Sequence, residues 1–114
     1  MKTHEEYFAS CTPDARERLE AIRAEAERRV PGTERVISYT MPALKKGRVF
    51  AYFAAFKNHI GVYPPVNGPP ALLEELAPYR GPKGNLIFPH KERLPVVLIG
   101  RAIEALAGQY ARAD

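Results

Sequence analysis

Cysteine is almost missing from this chain of 114 residues, tryptophan is missing altogether, and no apolar run approaches the ~18 residues that a membrane-spanning helix needs. With Cys11 alone, no intrachain disulfide framework can form, and Cys11 plus three scattered histidines cannot build a zinc finger. The first residues, MKTHEEYF, carry no apolar secretory core, so a cytoplasmic protein without membrane insertion is expected. There is no glycine-rich phosphate loop, no HExxH and no GxSxG, so the common enzyme signatures are missing and a non-enzymatic protein is expected.

What is present fits one ordinary globular domain over residues 1–114, with 46% hydrophobic and 26% charged residues. Seventeen Lys and Arg against 13 Asp and Glu leave a net charge of +4. The excess collects in one stretch, where Arg35, Lys45, Lys46, Arg48 and Lys57 face only Glu34. Phe50, Tyr52, Phe53 and Phe56 accompany it, yet they lie in a strand that the core requires and few cations surround them, so nucleic acid is not the expected partner.

Thr12, Pro13 and Asp14 form a helix start, with a capping hydroxyl, proline in the first turn and an acid facing the positive dipole end. Ala15, Leu19, Ile22, Ala26 and Val30 then recur at helical spacing until Pro31-Gly32 breaks the run. A shorter helical turn is expected over 5–10. Beyond Gly32 the texture turns to Val, Ile, Tyr and Phe, and strands are expected at 36–40, 49–56 and 59–63, with Lys46-Gly47 and Lys57-Asn58 as turns. The stretch 64–70 is a proline-rich loop before a short helix at 71–77. A strand at 85–88 and a closing helix opened by Pro95, with Ile99, Ala102, Ile103, Leu106 and Tyr110 on one face, complete the chain. This order defines an α+β two-layer sandwich, with helices packed on a mainly antiparallel sheet.

The run Ile37-Ser38-Tyr39-Thr40-Met41-Pro42, the run from Tyr52 to Pro64, and then Lys83-Gly84-Asn85-Leu86-Ile87-Phe88-Pro89 and Leu94-Pro95 resemble the YdhG-like family of small bacterial proteins. The resemblance spans nearly the whole chain in the family's order. It implies a YdhG-like, frataxin-like α+β domain. Some family members are described as intracellular iron chaperones, which implies ferrous iron as cargo and an iron-acceptor protein as partner. Hard iron cations favour carboxylate oxygens, and the candidates are Glu17, Glu20, Glu25 and Glu27 on the long helix. Asp14–Arg18, Glu20–Arg23 and Glu25–Arg29 stand one helical turn apart, however, and an ordinary salt-bridged face accounts for them equally well.

A second constellation comes from the residues themselves: Tyr39, Met41, Lys57, Asn58, His59 and Tyr63, joined by Lys83. Strand alternation sets His59, Gly61 and Tyr63 on one face and sends Ile60 and Val62 to the core. Gly61 lacks a side chain there and opens the sheet to a ligand or loop, with Lys57 and His59 as partners for a small anionic ligand or a protein. Turn chemistry alone also explains Lys57-Asn58.

Overall fold

Thr12 turns the chain into its long helix: the hydroxyl accepts the Ala15 N–H at 3.2 Å and Pro13 takes the first turn of α2, Pro13–Arg29. Such a cap contributes about 1 kcal/mol. Ala15, Leu19, Ile22 and Ala26 are the buried residues of α2 and follow the expected stripe. The structure is a computed structural model and describes residues 2–111. Before α2 lies α1, His4–Ala9, capped by Thr3. After the proline-rich loop, α3 spans Pro70–Leu76, a 3-10 turn follows at Ala77–Tyr79, and α4 spans Val96–Tyr110 with Ile99, Ala102, Ile103 and Leu106 buried.

Five strands, β1 Glu34–Ser38, β2 Met41–Lys46, β3 Arg48–Ala55, β4 His59–Tyr63 and β5 Leu86–Pro89, form one antiparallel sheet in the order of the chain. The expected α+β sandwich is therefore the observed one, with one more strand than the sequence pattern reveals. That strand is β2. Its Pro42 has no N–H to give a ladder, which reads as a loop signal. Pro42 is opposite Ile37, and the β2–β3 register runs only from Ala43 to Lys46. The expected strand end at Thr40 is instead a turn, with Tyr39 and Thr40 at φ 52° and 61°. Positive φ at both central residues closes a tight hairpin with the twist its strands need, although threonine resists that region.

A bulge shapes the core. Leu44 pairs with Ala51 and Lys45 with Val49, which leaves Phe50 unpaired. An extra residue reverses the alternation locally. Phe50 and Ala51, neighbours in sequence, both join the helix-side core with Leu44, Phe53, Ile60, Val62, Leu86 and Phe88. The α2–α4 crossing depends on Gly100, where an added Cβ would sit 2.5 Å from Glu25 Cγ and 2.9 Å from Arg29 Nε. Glycine within a helix costs about 0.5–1 kcal/mol relative to alanine, and here it admits the neighbouring helix.

Candidate functional site

The β3–β4 hairpin builds a cationic corner. Phe56 N–H donates to His59 O at 2.8 Å, so the reversal is made by Lys57 and Asn58 as the sequence predicts. His90, just past β5, holds this turn twice. Its backbone N–H donates to Asn58 O at 2.9 Å, and its ring Nε2 stands 2.7 Å from Phe56 O. A carbonyl only accepts, so that nitrogen carries the hydrogen. Arg18 of α2 then holds the His90 segment, its Nη2 donating to His90 O at 2.8 Å and Glu92 O at 2.7 Å. Two remote segments, the one after β5 and α2, thus fix one turn.

Two hollows flank it. One, of about 520 Å³, is lined by Lys57, Asn58, His59 and Ile87 and closed by Pro89, His90 and Lys91. It contains no carboxylate. Lys57 and Lys91 have no ion pair among the described residues. The other, of about 730 Å³, lies where α1, α2 and the end of β3 meet, and shares Lys57 and His90 with the first. In its wall Tyr7 Oη donates to Ala55 O at 3.3 Å and accepts from Ala55 N at 3.1 Å. Burial raises the Tyr7 phenol pKa, and it raises the Cys11 thiol pKa as well. Cys11 Sγ donates to Tyr7 O at 3.3 Å and forms part of the wall.

The sequence-derived constellation separates. Lys57, Asn58 and His59 stand together at the corner. Tyr63 begins at the far end of β4, and its ring returns over Gly61: an added Cβ there would meet Tyr63 Oη at 2.8 Å and Phe56 Cε2 at 3.1 Å. The open patch expected above Gly61 is therefore filled by the protein's own rings, and Phe56 also stacks on His59 with centroids 5.0 Å apart. Tyr39 is 81% exposed on the β1–β2 turn and leans toward Tyr52, with centroids 5.9 Å apart, while Met41 opens β2, half-buried. Lys83 is exposed in the turn before β5, whereas the corner adjoins the strand's other end. His90, Lys91 and Arg18 were not among the expected residues; no local motif marks them, because they arrive by tertiary contact.

The helix carboxylates take another course. Glu25 is held by Arg28 at 2.7 Å and Arg29 at 2.6 Å, and Glu27 by both Arg35 Nε and Nη2 at 2.7 and 2.9 Å. These hydrogen bonds hold both carboxyls below the usual glutamate range. Glu17 and Glu20 are exposed. No group of three His, Cys, Asp or Glu side chains gathers into a metal-sized cluster among the described residues. Of the three ion pairs expected along α2, Glu25–Arg29 forms. Arg18 is drawn to the His90 segment, and Arg23 to Glu5 at 3.1 Å and His4 Nδ1 at 3.3 Å.

His4 is 1% exposed. Its Nε2 lies 3.0 Å from both Val36 O and Ala43 O and must donate to them, which leaves Nδ1 to accept from Arg23. Burial lowers the His4 pKa below 6.5. The ring is neutral and structural.

No family model and no curated protein matches the chain. Among solved structures, the chain is similar to a protein of the DUF1801 family, YdhG of Bacillus subtilis. The TM-score is 0.74 at 19% identity, over 97% of this chain and 98% of that one. The fold is thus the YdhG-like α+β fold from end to end. Likeness of fold does not carry an activity with it. No helix among the described residues is long and apolar enough to cross a membrane.

Proposed function

We propose that this YdhG-like protein is a non-enzymatic binding protein that takes a compact anion at the Lys57 corner. One observation carries the reading: the hollow beside His59 is lined by Lys57, His59, His90 and Lys91 with no carboxylate among its walls. Elsewhere among the described residues Arg23, Arg28, Arg29, Arg35 and Arg101 are each paired with an acid. The corner is also held in place before any ligand arrives, by the His90 and Arg18 hydrogen bonds, so binding orders little of the backbone. Asn58 adds a side-chain amide, and Ile87 and Pro89 supply apolar walls, the usual mixture in a small-molecule site.

The carboxylate helix that motivates an iron reading commits Glu25 and Glu27 to arginines, so the anion reading is the better supported of the two. Titration of the labelled protein with inorganic phosphate at low salt, followed by NMR, tests it. Saturable shifts confined to Lys57–His59 and His90–Lys91, with Kd at or below about 1 mM, are expected. Shifts spread over every exposed lysine, or none that saturate, would sink the proposal.

A further inference from the structure

The sheet face away from the helices is aromatic. Of the rings that the sequence assigns to a core strand, Phe50 and Phe53 are buried among the helices, but Tyr52 and Phe56 are not. Strand alternation turns Tyr52 to the opposite face beside its cross-strand partner Tyr63, and Phe56 stands just past β3, 42% exposed. Short residues lie on the same face, Ala43 opposite Tyr52 and Ala54 opposite Gly61, and the larger rings lean over them. Tyr39 approaches Tyr52 from the β1–β2 turn, Tyr63 returns over Gly61 to the side of Phe56, and Phe56 stacks on His59. Five rings therefore line one face, from the exposed Tyr39 to the Lys57 corner.

Charge on this face is mainly positive. Lys57 and Lys91 stand at the corner, and Lys45, alternating with the buried Leu44, turns outward on β2. None of the three has an ion pair among the described residues. Glu34, opposite Lys45, is the one acid in the five strands. A second copy docked by symmetry would set these lysines against their own kind, and a neutral sugar chain would leave them unpaired. Stacking rings with interspersed cations match a chain that carries flat groups and negative charge together. Resting on the anion reading at Lys57, we infer that this face binds a single-stranded nucleic acid. Its bases lie on Tyr39, Tyr52, Tyr63 and Phe56, and its phosphates meet Lys45, Lys57 and Lys91. A duplex hides its base faces and offers these rings nothing to stack on.

Fluorescence anisotropy with a labelled oligodeoxythymidine of about 20 nucleotides, alone and in its duplex with oligodeoxyadenosine, tests the inference. The single strand should bind about tenfold or more tightly than the duplex, with an affinity that falls as salt rises. Tyr39 is 81% exposed at positive φ, a conformation that asparagine accepts, so Tyr39→Asn removes the ring and keeps the turn. It should weaken the single strand by about fivefold or more, whereas Tyr39→Phe should retain it. Phosphate shifts at the Lys57 corner should be the same in both variants. A single strand no tighter than the duplex, or one indifferent to Tyr39→Asn, overturns the inference and leaves the anion reading standing. Absence of saturable phosphate binding removes both. A dimer in analytical ultracentrifugation that Tyr39→Asn dissociates would overturn it in favour of a second copy on this face.

Discussion

The two ends of the sheet treat charge in opposite ways. At the β1–β2 end, His4, Arg23, Glu5, Arg35 and Glu27 are joined in a continuous chain of hydrogen bonds and ion pairs that reaches two strand carbonyls. At the β3–β5 end, Lys57, His59 and Lys91 line a hollow with no acid opposite them. One end uses its charges to join helices to strands; the other leaves Lys57 and Lys91 without an acid opposite them among the described residues. Ionisable residues are about equally visible at both ends in the sequence, so composition alone does not separate structural charge from binding charge. The partner of each side chain does.

That contrast is breakable at either end. The largest effect should come from His4→Leu, which strands two buried carbonyls and the Arg23 N–H that the ring satisfies. A loss of about 2–4 kcal/mol in urea unfolding is expected, with phosphate binding intact where the variant remains folded. Gly100→Ala should cost about 1–3 kcal/mol, because the added methyl collides with Glu25 and Arg29 at the α2–α4 crossing.

Acid reproduces part of the His4 effect. The lowered His4 pKa means that the unfolded chain takes up a proton first, near 6.5, while the folded one excludes it. Stability from this source is whole above that pH and is lost as pH falls through it toward the folded value. Urea midpoints followed from pH 7.5 downward should show this loss, and His4→Leu should flatten the profile in that interval. Glu5 and Glu27 enter only lower: a backbone N–H holds the Glu5 carboxyl, and Arg35 the Glu27 carboxyl, below the usual glutamate range, so their stabilisation is lost as pH falls from about 4.5 toward the folded values.

Glu27→Gln weakens a half-exposed pair with Arg35 and should cost about 0.2–1 kcal/mol, reduced further by salt. Smallest for stability are Lys57→Ala and Lys91→Ala at the other end, within about 0.5 kcal/mol of the parent. These same two changes should weaken phosphate binding several-fold. A lysine variant that destabilised the fold without changing binding would erase the distinction between the two ends.

Much of the scaffold was legible. The Thr12 cap, the α2 stripe, the hairpin at Lys57-Asn58 and the strand His59–Tyr63 each follow from short-range rules about capping, periodicity and turn length. Where a residue answers to a distant segment, the local rules gave the wrong answer. Pro42 disguised β2, Phe50 escaped the alternation through a bulge, and Arg18 and Arg23 ignored the acids one turn away for carbonyls, a carboxylate and a ring contributed by other segments. The site was half legible for the same reason. Lys57, Asn58 and His59 are contiguous and stood out together, whereas His90 and Lys91 join them only through the pairing of β5 with β4.

The His4 contact also sets an order of events during synthesis. Its acceptors lie 32 and 39 residues further along the chain, so α1 is made before the carbonyls that hold it. A six-residue helix is far too short to persist by itself. The His4 anchor of α1 is thus complete only once β1 and β2 have brought the Val36 and Ala43 carbonyls together.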